Sequence, residues 1–78
     1  MRSSFAIIAE ILKTSKNGAK KTRIMYSCGL SYRFVQKYLE ILLETGLLSL
    51  GSCYKTTDKG MGFLSKYQTL DLLMSTRN

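Results

Sequence analysis

Catalysis on a protein needs a proton carrier, an activated nucleophile or a ligand set, and this 78-residue sequence supplies few of them. It has no His, which excludes Ser-His-Asp and Cys-His nucleophilic sets. Its two cysteines, Cys28 and Cys53, stand 25 residues apart with no His to join them, so the usual zinc sites are excluded as well. Positive charge is what the sequence has in quantity: twelve Lys and Arg against five Asp and Glu, a formal charge of +7. Eight cations and one acid, Glu10, precede residue 40; four cations and four acids follow. A field localised in this way speeds encounter with a polyanion and releases counterions on docking. A solubilising surface is the alternative, against which the segregation argues, while an anionic membrane surface stays open. The expectation is binding rather than catalysis. No residue pattern names a cofactor or a small-molecule ligand.

One small domain, spanning 1–78, must position those cations. A chain of this length buries about 60% of its surface on folding and has no room for a second core. A hydrophobic content of 45% is too high for a disordered basic tail. No apolar run reaches the ~18 residues that span a bilayer. Met1 to Phe5 leads into an apolar stretch that Glu10 interrupts, with no small-residue cleavage site after it. That stretch reads as a helix rather than a signal peptide, and a cytoplasmic, nucleoid-associated location is expected.

The first helix runs from Ser4 to Lys13, capped by Ser3 or Ser4 and stopped at Asn17-Gly18. Phe5, Ile8 and Leu12 form its stripe, with Ile7 and Ile11 flanking. A shorter segment, Lys20 to Tyr26, ends before Cys28-Gly29 and offers Ile24 and Met25 to a core. Ser31 then caps a helix from Tyr32 to Thr45, with Gly46 as its left-handed stop. Helix, short helix, a turn at Gly29 and a longer helix is the order of a tri-helical helix-turn-helix.

The third helix has three faces. Val35, Leu39, Leu42 and Leu43 cluster toward the core. Arg33, Lys37, Glu40 and Glu44 form an opposite stripe, with the cations in its N-terminal half. A recognition helix has that polarity, because its N-terminal residues enter the major groove. A solvated face in which Lys37 pairs with Glu40 or Glu44 is the alternative. Phe34 and Ile41 share a third stripe, either covered by a neighbouring helix or forming a subunit contact.

Leu47–Leu50 and Cys53–Thr56 read as strands joined through Gly51-Ser52, a short wing whose one charge is Lys55. Thr57 caps the last helix, and Gly60 and Gly62 near its start suggest close packing on the hairpin. Phe63, Tyr67, Leu70 and Met74 recur at spacings of four, three and four, with Leu64 and Leu73 alongside. This face either folds back on the core or forms a coiled-coil seam. A chain this short gains from a shared core, which argues for a homodimer through Phe63, Tyr67, Leu70, Leu73 and Met74. Ser75 to Asn78 reads as a frayed end. The fold class is therefore mainly α with a small β-hairpin: a winged helix-turn-helix (core and wing in 1–56) with a C-terminal dimerisation helix (57–75).

The runs Lys20–Tyr26, Leu30-Ser31-Tyr32, Lys37–Glu40, Leu42–Leu48 and Tyr54–Gly60 together resemble the archaeal winged-helix family over residues 5–70. That family includes small homodimeric regulators and a chromatin-like protein dimerised by an antiparallel coiled coil. Compact members occur in archaeal viruses and plasmids. The resemblance implies DNA binding by Tyr32 to Lys37 and dimerisation by the last helix. Two features depart from it: the last helix is short, and Phe34 stands where a polar residue is expected.

On this reading Tyr32, Arg33, Gln36 and Lys37 face bases of double-stranded DNA, with Gln36 and Tyr32 nearer the core side of the helix. Lys20, Lys21, Arg23, Ser31 and Lys55 contact phosphate. A sequence-specific regulator, a non-specific architectural protein and a protein-binding winged helix all remain in play. The two cysteines read as small buried thiols, with a disulfide between them as the lesser alternative.

Overall fold

The computed structural model describes residues 3–75. Along the chain come α1 (Ser4–Thr14), α2 (Lys21–Cys28), α3 (Tyr32–Glu44), β1 (Leu48–Leu50), β2 (Tyr54–Thr56) and α4 (Asp58–Ser75). Arg2 and the stretch from Thr76 to Asn78, including Arg77, lie outside the described residues.

The Ser3 hydroxyl starts α1 by accepting the Ala6 N–H at 3.1 Å. The helix stops at Ser15, whose N–H donates to the Ile11 carbonyl, two residues before the expected Asn17-Gly18 stop. Ala9, Ile11 and Leu12 are buried, and Ile7 and Ile8 are half-buried against them. The expected Phe5–Ile8–Leu12 stripe is thus rotated. Both α2 and α4 pack on α1, and the interior between them faces Ile11 and Leu12. Phe5, 62% exposed, instead stacks on Phe63 of α4 with ring centroids 6.4 Å apart.

The short helix α2 begins one residue later than its sequence suggests and continues through Cys28. Its closure waits for Gly29, whose φ of 63° is left-handed and cheap only for glycine. The turn to α3 is closed by the Leu30 N–H on the Met25 carbonyl at 3.0 Å. Ser31 caps α3, accepting the Phe34 N–H at 3.3 Å. Val35, Leu39 and Leu42 fill the core from α3, and Leu43 is half-buried.

The wing strands are antiparallel, with Leu48 opposite Thr56, Ser49 opposite Lys55 and Leu50 opposite Tyr54. The link is three residues, Gly51 to Cys53, rather than two, and Cys53 lies in the loop rather than in β2. The hairpin is also tied from outside. Ala19, in the α1–α2 connection, pairs with Tyr54 through two backbone hydrogen bonds of 2.8 and 2.9 Å. The neighbouring Thr56 donates its N–H to Ser15 O at 3.0 Å and its hydroxyl to Leu12 O at 2.7 Å. Cys28 and Cys53 are not joined in a disulfide: Cys28 is buried in the core, and Cys53 faces Gly18 in the wing loop.

The last helix is tied down at its start. Thr57 Oγ1 accepts the Gly60 N–H at 3.0 Å and donates to the Gly46 carbonyl at 2.6 Å. Lys59 Nζ donates to the Thr45 carbonyl at 2.7 Å, placing a cation on the C-terminal end of α3. Leu64 is the residue of α4 that enters the core, while Phe63 and Tyr67 pack on its edge.

Gly60 is buried under the hairpin: a Cβ there would collide with the Leu47 carbonyl and lie 2.7 Å from Thr56 Cγ2. Gly62 has nothing within 4 Å of the same position. The two glycines therefore answer oppositely to alanine. Gly60→Ala is expected to destabilise by about 1–3 kcal/mol through overpacking. Gly62→Ala is expected to stabilise by about 0.5–1 kcal/mol through helix propensity. Denaturant melts at one protein concentration measure both, and equal shifts of the same sign would contradict the packing described.

Candidate nucleic-acid interface

The outward side of α3 is set by its inward one. With Val35, Leu39 and Leu42 held in the core, Arg33, Lys37, Glu40 and Glu44 must point the other way, and all four are exposed. Arg33 and Lys37 occupy the end nearest the cap at Ser31, and the acids occupy the far end.

One flank of this face is built with α2. Lys21 Nζ donates to Gln36 Oε1 and lies 3.5 Å from the Tyr32 hydroxyl. The same ammonium sits 4.9 Å from the Tyr32 ring centroid, a cation–π distance. Gln36 in turn donates through Nε2 to Glu40 at 3.1 Å. Lys21, Tyr32, Gln36 and Glu40 thus form a chain in which both ends of the Gln36 amide are engaged. A Gln reads adenine by offering both ends of its amide to the base, so it must first leave Lys21 and Glu40.

The other flank faces α1. Phe34 is 56% exposed and Ile41 41% exposed, so α1 does not cover them as a neighbouring helix was expected to. They line an open groove of about 270 Å³ with Ser4, Ile8, Lys37 and Tyr38. Tyr38 closes it by donating to the Ser4 hydroxyl at 3.3 Å.

The expected phosphate contacts fall in three places. Lys20 and Arg23 are exposed at the start of α2 and line a groove of about 420 Å³ with Gly18, Thr22 and the wing residue Cys53. Lys21 is half-buried against α3 as described. Ser31 is occupied as the α3 cap, and Lys55 is exposed on β2. The structure therefore brings the basic segment beside α3 and leaves Lys20 and Arg23 turned to solvent. Sequence pattern had missed Glu40 as the acceptor for Gln36. The i, i+4 spacing of the two was the available signal.

Of the residues expected at a dimer contact, Phe63, Tyr67, Leu70 and Met74 line one apolar groove of about 440 Å³ with Phe5. Leu73 lies outside its lining. Leu70, Leu72, Leu73 and Met74 are between 58% and 64% exposed. No helix among the described residues is long and apolar enough to cross a membrane.

Three helices, a hairpin laced to the α1–α2 connection and an exposed third helix bearing the cations define the class. The chain belongs to the winged helix-turn-helix family, whose sequence profile matches residues 1–75. Among individual proteins it is similar to the uncharacterised protein MJ0287 of Methanocaldococcus jannaschii, 33% identical over 78 residues. That match covers 97% of this chain and 80% of the relative. The crystal structure of Sso10a-2, a DNA-binding protein from Sulfolobus solfataricus, aligns with a TM-score of 0.83 at 25% identity. The alignment covers 95% of this chain and 83% of that one. Both relatives are archaeal.

The shared ammonium makes a prediction independent of any ligand. Lys21→Met is expected to release Gln36, so that its side-chain amide resonances move toward those of a free glutamine while the helix content holds. NMR of the Gln36 NH₂ group measures this, and unmoved resonances would mean that Glu40 alone fixes the amide.

Proposed function

We propose that this protein is a double-stranded DNA-binding transcriptional regulator that inserts the N-terminal half of α3 into the major groove as a homodimer. The observation that carries the reading is the exposure of Arg33 and Lys37 on the outward side of α3, beside the cations that begin α2. That Sso10a-2, a structural relative of the same fold, is a DNA-binding protein supports it. Arg33 reads guanine through two parallel donors, and Lys37 reads or neutralises beside it. Lys20 and Arg23 hold phosphate and fix register, with Lys55 on the wing and the Ser31 hydroxyl as further contacts. Lys21 orients Gln36 and Tyr32.

The partner in the dimer is a second copy of α4, packed along Phe63, Tyr67, Leu70 and Met74, with Leu73 at the margin. Such a dimer reads two half-sites related by a two-fold axis and about one helical turn apart. One observation favours a second reading, a non-specific architectural protein. With Gln36 engaged at both ends and Glu40 beside it, few side chains on α3 stand ready for bases.

Binding to a promoter library under excess competitor DNA, with a salt titration, separates the two. Selection of a few sequences with a palindrome among them is the expected result. Uniform binding that collapses with salt would establish the architectural role, and no affinity at physiological salt would indicate a protein-binding module. Arg33→Ala is expected to cost about 1–3 kcal/mol at one base position. Lys20→Ala or Arg23→Ala is expected to weaken all sequences alike and reduce the salt slope by about one. Sedimentation equilibrium tests the dimer: Leu70→Glu with Met74→Glu is expected to give a folded monomer, and an unchanged dimer would move the interface elsewhere.

A further inference from the structure

Phe34 has no role in the core, and its surroundings suit one kind of neighbour. It stands in the first turn of α3, where its backbone N–H is fixed by the Ser31 cap at 3.3 Å. The residue is 56% exposed. Arg33 precedes it in sequence, and Lys37 shares its groove. An apolar helix laid over Phe34 and Ile41 would have to cover the Lys37 ammonium without supplying a counter-charge, and burying an unpaired charge is costly. A polyanion supplies that counter-charge and is attracted by the same two cations. A phenyl ring neither donates nor accepts a strong hydrogen bond, so on a base edge it can recognise only an apolar group. The major groove of DNA offers one such group, the C5-methyl of thymine.

We propose that Phe34 is a specificity-determining residue that packs on the C5-methyl of a thymine next to the base read by Arg33. The proposal rests on α3 reading bases, as argued above, and names the base that its apolar flank selects. Ile41 lies two turns further along, at the acidic end of the helix, where it lines the same groove beside Ile8. An apolar side chain where the family resemblance calls for a polar one then has a direct function. It exchanges a hydrogen-bonding preference for a methyl preference, discriminating thymine from cytosine at that position.

The test removes one methyl at a time. In the duplex selected from the library, each thymine is replaced in turn by deoxyuridine, which keeps pairing and hydrogen-bonding groups and deletes only the C5-methyl. For the unaltered protein, one position per half-site is expected to lose about four-fold in affinity, the worth of one buried methyl group. Phe34→Ala is expected to abolish that sensitivity and keep both its melting curve and its response to changes at the Arg33 position. Phe34→Leu, which retains an apolar contact, is expected to keep part of it. Selective binding with no methyl-sensitive thymine would overturn the assignment and leave base reading by α3 intact. So would a Phe34→Ala protein as sensitive as the original. Uniform binding of all sequences would overturn base reading itself, and with it this proposal.

Discussion

The structure hangs on the docking of β2 to the end of α1. A helix leaves its last carbonyls without partners, and in a protein of this size they cannot all be turned to water if the helix is to enter the core. Thr56 supplies the partners: its hydroxyl takes Leu12 O, and its N–H takes Ser15 O. Two residues earlier, Tyr54 exchanges both backbone hydrogen bonds with Ala19. Residues more than 30 positions apart are thereby locked in one register. The wing, the α1–α2 connection and the start of α2 become a single rigid unit. Lys20 takes its position from it as the residue after Ala19, and Arg23 follows in the first turn of α2.

The outward face of α3 takes its direction from packing, and its cations lie at the capped end of the helix. Three buried aliphatic residues fix the rotation of the helix, so the exposed stripe needs no support of its own. Its two flanks differ in kind. Toward α2 the surface is polar and interlocked, with Lys21 serving Tyr32 and Gln36 at once. Toward α1 it is apolar and open, with Phe34 and Ile41 uncovered. An interface with one prearranged side and one adaptable side matches a nucleic-acid groove, where phosphates and base edges make different demands.

Much of this was legible in the sequence because caps and glycines act locally. Ser31, Gly46 and Thr57 mark the ends of α3 and the start of α4 through bonds within a few residues, and the core residues of α3 follow from its period. The single-residue pairing at Ala19 has no period, so nothing in the sequence shows it. The wing loop, Gly51 to Cys53, is one residue longer than Gly51-Ser52 suggests, and it ends at Tyr54, the residue that Ala19 pairs with. Phe5 reads as core by spacing alone. Whether a first-turn residue meets the interior depends on where the crossing helices lie, a tertiary fact. In the candidate site, the positions of Arg33 and Lys37 follow from the helical wheel. The engagement of Lys21 with Gln36 depends on how closely α2 approaches α3, which side-chain type does not encode.

Three hydrogen bonds tie the start of α4 to the segment that ends α3: Thr57 Oγ1 to Gly46 O, Lys59 Nζ to Thr45 O and the Thr57 N–H to Leu47 O. From there α4 runs for 18 residues, about 27 Å at 1.5 Å per residue. Leu64 and the Phe63–Phe5 stack hold it against the core, and its length turns a small tilt at its start into a large displacement at its far end. A tilt of about 10° would swing the far end by roughly 5 Å, more than the ~3.4 Å rise of one base pair. In the proposed dimer built on α4, the separation of the two α3 helices therefore depends on the contacts that set this tilt, at Thr57 and Lys59 and at Phe63 and Leu64. On that proposal, small sequence changes among these contacts would retune the spacing between half-sites while leaving Arg33 and Lys37 unaltered.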